Sequence, residues 1–215
     1  RDLARALKES GIDRKEVQIA SKAWYDELGY EETKAAFNRT LERLETDYLD
    51  FYMLHWPKAS EDDPDWKEKD QGAWKALTEL KKAGKIRHIG TSNFLPHHLE
   101  NLEKTTDCAV ELDQLELHIG YSQELAREYC QKQGILVQAW GPLGRGRMND
   151  NRIIQDMAAK YGKTFSQIAI RFLLQKGIMP IPKASTREHM VDNANVFDFE
   201  LSTEDMWMLS CMPQE

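Results

Sequence analysis

Short apolar runs recur along the chain, and each stops at a polar or glycine-bearing cluster. Val17 to Ser21 ends at Lys22, and Tyr48 to Leu54 ends at His55. Ile86 to Thr91, about Val110 to Leu117, Ile135 to Ala139 and Ile178 to Ile181 are runs of the same kind. Apolar runs of this length bounded by breakers predict strands. Helix-patterned stretches separate them. Ala35, Phe37, Leu41 and Leu44 place one apolar stripe on a helix from Tyr30 to Leu44. Further helices are predicted over 1–10, about 72–83, 96–102, 123–133, 153–161 and 165–175, with two more near Glu188 and Thr203. Residues 58–70 read as an acidic loop, with Trp66 inside it.

Strand, cluster, helix, in that repeated order, is the pattern of a parallel α/β enzyme with its chemistry at the carboxyl ends of the strands. The connections are too short for two domains, so 1–215 reads as one domain. Open doubly wound sheets and closed eight-unit barrels both fit the alternation. The barrel is favoured, because no G-x-G-x-x-G opens the first helix and because clusters follow every strand rather than one switch point. The fold class expected is therefore α/β, a (β/α)8 TIM barrel, with six of its eight strand–helix units present. The chain opens inside a helix, at Arg1, without an initiator methionine. That predicts a partial barrel lacking its first two strands, and the stop at Pro213-Gln214-Glu215 predicts a shortened carboxyl-terminal tail.

Composition narrows the function. The chain has 215 residues, 41% hydrophobic and 30% charged, which suits a globular domain with a full core. A formal charge of -7 argues against a nucleic-acid partner, which needs a basic face. No apolar run approaches the ~18 residues of a membrane span, and Arg1-Asp2-Leu3-Ala4 does not begin a signal peptide. Three cysteines at wide spacing predict reduced thiols in a cytoplasmic protein and no metal site. His97 and His98 diverge by roughly 100° on a helix and make a poor chelate.

Alternation along the second strand puts Phe51, Met53 and His55 on one face and Tyr52 with Leu54 on the other, so Tyr52 points away from the site. The same rule puts Gln114, Glu116 and His118 together on a buried face, where they need partners. Alone, Lys22 reads as a solvated lysine at a strand end, and Trp24 and Trp56 read equally as core aromatics. Their place beside His55 favours a substrate pocket. Gly144-Arg145-Gly146-Arg147 is similar to a phosphate-contacting loop.

In chain order the clusters resemble the motifs of the aldo-keto reductases. Ser21-Lys22-Ala23-Trp24 matches T-K-x-W, Met53-Leu54-His55-Trp56-Pro57 matches L-I-H-W-P, and Gly90-Thr91-Ser92-Asn93-Phe94 matches G-V-S-N-F. Asp113 to His118 matches N-Q-x-E-x-H, Ala139 to Gly144 matches A-Y-S-P-L-G, and Ile181-Pro182-Lys183-Ala184 matches I-P-K-S. Asp192-Asn193 stands for E-N, and Val196 to Ser202 completes the set. One motif would be weak; eight in one order over the whole chain are specific.

The resemblance implies a barrel that reduces aldehydes and ketones with NADPH, acting as a monomer at full length on a small carbonyl compound. Of the family's aspartate, tyrosine, lysine and histidine, it assigns Lys22 and His55; the aspartate and tyrosine motif is expected before Arg1. This chain by itself is then expected to turn over little. Carbonyl reduction needs a positioned acid, and an ammonium such as Lys22 lowers the phenol pKa from about 10. The resemblance gives Ser92, Asn93 and Gln114 to the nicotinamide carboxamide and Trp140 to its ring. It gives Gly141, Pro142, Leu143 and Gly144 to the cofactor as well. Lys183, Ala184, Ser185, Thr186, His189, Asp192 and Asn193 complete its phosphate and adenosine end. Lys22, His55, Ser92, Asn93, Gln114 and Lys183 are expected to converge on one cavity. The family's serine and arginine are Ala184 and His189 here, so NADPH is expected with NADH tolerated. Two rivals stand beside this: a catalytically silent cofactor-binding barrel, and a lyase using Lys22 as a Schiff-base nucleophile.

Overall fold

The computed structural model of the protein describes residues 1–57 and 63–213. The chain divides into two compact units, Arg1–Asp113 and Gln114–Glu215. Among the described residues no helix is long and apolar enough to cross a membrane.

The first unit contains α1 (Asp2–Ser10), β1 (Ala20–Ala23), α2 (Tyr30–Leu44), β2 (Leu49–Leu54), α3 (Trp66–Lys82), β3 (Ile86–Ser92), α4 (Pro96–Glu103) and the start of β4 (Leu112–Glu116). β1 pairs with β2, and β2 with β3, both in parallel. The amphipathic reading of α2 coincides with the observed helix. Its Phe37 is fully buried and meets Tyr52 of β2 edge-on at 5.1 Å between centroids. Removing a buried ring of this size costs about 3–5 kcal/mol. Tyr52 thus faces the helices, and burial pushes its pKa up to about 12.

β1 starts three residues later than the apolar run at Val17 predicts. The reason is Arg14. Its guanidinium donates to the Val17 and Tyr48 carbonyls at 2.6 and 3.2 Å and pairs with buried Asp50 at 2.9 Å. Asp50 also accepts from the Ile19 amide at 2.9 Å and pairs with Arg87 at 2.7 Å. Residues 14–19 are therefore tied by side chains, and the strand ladder begins only at Ala20, opposite Phe51. Burial alone would raise the Asp50 pKa; the Ile19 amide and the two arginines lower it instead.

α3 begins at Trp66, six residues before the predicted start. The run Lys67-Glu68-Lys69-Asp70 looks like loop in sequence, yet straight-chain charged residues suit a helix. Lys69 is fixed by Asp63 at 2.8 Å, and Asp70 is buried. The rest of the predicted acidic loop, 58–62, lies outside the described residues. Gly90 of β3 has a packing reason to be glycine: a Cβ there would come within 2.5 Å of the Leu112 carbonyl oxygen.

The second unit takes the end of β4 and adds α5 (Glu124–Gln133), β5 (Leu136–Trp140), α6 (Arg152–Tyr161), α7 (Phe165–Gln175), β6 (Met179–Pro180), α8 (Arg187–Ala194) and α9 (Thr203–Ser210). β5 and β6 are parallel, with Gln138 opposite Met179 and Ala139 opposite Pro180. β6 is shorter than predicted because Pro180 and Pro182 carry no N–H for the ladder. Caps set the helix starts: Asn151, Thr164, Thr186 and Ser202 each accept from the first turn of α6, α7, α8 and α9. Asp205 in α9 is buried. Burial alone would raise its pKa, but Lys160, Tyr161 and Ser202 hold it down to about 2. β4 ends at Glu116, so His118 is not on the strand face assigned to it with Gln114 and Glu116. It sits instead in an isolated antiparallel bridge with Tyr121.

Candidate functional site

In the first unit, parallel pairing puts Lys22 level with Met53, and Met53 level with Gly90. Two residues further along each strand stand Trp24, His55 and Ser92. The His55 amide donates to the Ala23 carbonyl at 3.0 Å, which continues the β1–β2 ladder to the strand end. Because faces alternate, Lys22, Met53, His55 and Ser92 share one side, opposite the side on which Tyr52 packs against Phe37. Phe51 and His88, two residues before Met53 and Gly90, stack at 5.1 Å on the same side.

Lys22 and His55 are electrostatically coupled. Burial lowers the Lys22 pKa. Burial first, and the Lys22 charge second, push His55 from 6.5 down to about 4. The imidazole is therefore neutral near pH 7 and carries a single N–H. Trp24 meets it edge-on, 4.5 Å between ring centroids. Trp24 and Trp56 each expose over two-fifths of their surface, so neither is a core aromatic.

Asn93 secures the strand ends. Its side-chain amide donates to the His55 carbonyl at 3.0 Å and to Ser92 Oγ at 3.1 Å, and Ser92 is fully buried. Asn93 has φ 64, a left-handed conformation that asparagine tolerates better than most side chains.

In the second unit, buried Gln114 donates to Gln138 Oε1 at 2.6 Å. Trp140, at the end of β5, is half-buried, and the Arg145 guanidinium lies over its ring at 5.6 Å from the centroid. Glu116 sits 4.0 Å from Arg145 and 3.8 Å from Arg147. The loop between them holds Gly144, Arg145 and Gly146 in succession at φ 55, 52 and 79. A side chain at Gly144 would also crowd the His118 ring, 3.3 Å from Nδ1. Pro142 and Gly144 are buried, while Gly141 and Leu143 are half-buried.

The Lys183–Asn193 stretch is more open. Lys183, Ser185, Thr186 and His189 are exposed, and Ala184 is half-buried. Thr186 Oγ accepts from the His189 amide at 3.2 Å as the cap of α8. Asp192 accepts from Thr164 at 2.8 Å, and its carbonyl from Gln167 at 3.2 Å, which ties α8 to α7. Asn193 is half-buried. Sequence reasoning gave no role to Arg187, an exposed cation on the first residue of α8, beside Lys183 in chain order. Its place just after a capping threonine was the available signal. The stacking of Arg145 on Trp140 was also missed, for lack of any local pattern.

A family model described as the aldo/keto reductase family matches residues 2–210. The chain is 45% identical over 200 residues to the glyoxal reductase of Bacillus subtilis, which covers 93% of this chain and 70% of that protein. It is 34% identical over 214 residues to the methylglyoxal reductase DkgA of Escherichia coli, covering 99% of this chain and 75% of that one. A solved structure of a Gox0644 mutant in complex with NADPH matches with a TM-score of 0.90 and 34% identity, over 99% of this chain and 75% of its own. The fold class is the α/β arrangement of the (β/α)8 barrels among these neighbours.

Proposed function

Since the chain belongs to the aldo/keto reductase family, we propose that Lys22 and His55 face the substrate of a reductase for small aldehydes and dicarbonyls of the glyoxal and methylglyoxal kind. The general activity is NADPH-dependent reduction of aldehydes and ketones to alcohols. The substrate class is argued from the names of the similar enzymes and from the two exposed tryptophans beside His55.

The observation that carries the residue assignment is the strand register, which sets Lys22 level with Met53 and ties His55 to the neighbouring strand end through the Ala23 carbonyl at 3.0 Å. As a carbonyl carbon is reduced, negative charge grows on its oxygen and a proton must arrive. A neutral imidazole can donate one hydrogen bond to that oxygen without giving up a proton of its own. The Lys22 ammonium stabilises the developing charge and favours the ionised form of a proton-donating phenol beside it. Tyr52 is not that phenol, because it faces Phe37 and its pKa has moved the wrong way.

NADPH, when bound, supplies the hydride. Ser92, Asn93 and Gln114 offer the hydroxyl and amide groups that a carboxamide needs, and Trp140 offers an aromatic face. Gly141, Pro142, Leu143 and Gly144 form the turn that would pass the diphosphate. Lys183, Ser185, Thr186 and the first turn of α8 would hold the 2′-phosphate, with Ala184, His189, Asp192 and Asn193 around them. Since histidine stands at 189 in place of the family's arginine, the preference for NADPH over NADH is expected to stay below about a thousandfold in kcat/KM.

The test is NADPH oxidation with glyoxal and methylglyoxal on the protein at its natural length, beside NADPH binding followed by tryptophan fluorescence. Turnover lost in Lys22→Met and His55→Phe, with binding retained, supports the assignment. Retained turnover refutes it. Borohydride trapping of substrate on Lys22 would replace it with the Schiff-base reading, which the lowered pKa of Lys22 also suits.

A further inference from the structure

The second unit holds a cleft of about 210 Å³ that none of the reductase residues line. It opens where α5 and the end of α7 meet the starts of β5 and β6. Leu136 begins β5, and Gly177-Ile178 lead into β6, whereas Trp140 ends β5 and Lys183 follows the end of β6. A five-residue strand separates the two ends by roughly 13 Å.

Two cations line this cleft, and among the described residues no carboxylate does. Arg127, on the first turns of α5, is fixed by donating from Nε to the Ser122 carbonyl at 2.7 Å, and its side chain is 17% exposed. Lys176 caps α7, with its ammonium over the Phe172 ring at 5.0 Å from the centroid and no ion pair among the described residues. Gln131 lies one helical turn beyond Arg127 and adds an amide donor. One carboxylate stands at the mouth, where its charge acts on both cations. Glu124 is 3.8 Å from Arg127 but 70% exposed, and Cys211 is an exposed thiol. Burial and the Arg127 charge both lower the Lys176 pKa. Two like charges face one cavity in a chain whose net charge is -7.

The remaining wall is apolar: buried Ile135, Val137 and Ile178, with Gly177 and the exposed Leu136 at its edge. We propose that this cleft is a binding site for a small organic phosphate monoester, its dianionic head between Arg127 and Lys176 and its short carbon chain against Ile135, Val137 and Ile178. A dianion matches two cations, and a guanidinium beside an ammonium and an amide supplies donors for several phosphate oxygens. The volume leaves room for a body of a few carbons beyond the head.

The site does not depend on the reductase reading, so binding rather than turnover tests it. Butyl phosphate and inorganic phosphate are titrated into the protein at its natural length, at constant ionic strength, with phosphorus NMR line widths and the thermal midpoint as readouts. Saturable binding is expected, with butyl phosphate tighter than inorganic phosphate by about threefold or more. Lys176→Gln is expected to weaken both by about tenfold while leaving NADPH affinity unchanged. Gln131→Glu, which adds a charge to the cleft without touching Arg127 or Lys176, should weaken them too and serves if Lys176→Gln folds poorly. The proposal is overturned if both variants bind as the parent does, if chloride gives the same response, or if NADPH competes the phosphates away.

Discussion

Lys22 with His55, and Lys183 with His189, are two lysine–histidine sets in one chain, and the fold treats them oppositely. The first is set in strand register and partly buried, so burial lowers the pKa of both groups and the Lys22 charge lowers that of His55 further. The second lies along a loop and the first turn of α8, exposed, with only a helix cap for order. Buried, coupled groups suit bond-making, where charge must be stabilised in a poorly solvated place. Exposed groups suit recognition of a phosphate, where each contact is modest and screened by salt.

The contrast can be broken at its strongest point first. Lys22→Met should lower kcat by about a hundred- to a thousandfold with little change in NADPH affinity, measured by steady-state kinetics and binding titration. An equal loss in affinity would mean that Lys22 belongs with the recognition set. Beneath the pair, Gly90→Ala should cost about 1–3 kcal/mol in denaturant unfolding, because the new methyl meets the Leu112 carbonyl. Lys183→Ala should raise KM for NADPH by about tenfold at low salt and less at high salt, with kcat unchanged.

The smallest expected effect is an absence of change. Folding depresses the His55 pKa from 6.5 to about 4. Between those values the unfolded chain binds the proton and the folded one does not, so stability contributed by neutral His55 is complete above about pH 6.5 and is lost as pH falls through about 4. No ionisation of His55 should therefore appear in kcat between about pH 8 and pH 5, and a pH profile of His55→Gln against the parent checks it.

The strand-end clusters were legible because each is a local pattern: an apolar run, then polar residues where it stops. The α2 helix was legible from its stripe, and the direction of Tyr52 from alternation. What escaped was set by side-chain contacts that no apolar periodicity records, whether far apart in sequence or a few residues apart. The shift of β1 comes from Arg14 reaching Asp50, and the early start of α3 from Asp63 holding Lys69. The shortened β6 could have been read from Pro180 and Pro182. Arg145 over Trp140 and the meeting of Arg127 with Lys176 leave no trace in local spacing.

Asn93 carries a consequence for how this protein can be improved. Glycine would adopt φ 64 without the steric penalty that an asparagine bears there. Yet glycine has no amide to bind the His55 carbonyl and Ser92. Asn93→Gly would therefore relieve one backbone position while cutting two ties between neighbouring strand ends, and a melting curve would read only the difference between the two.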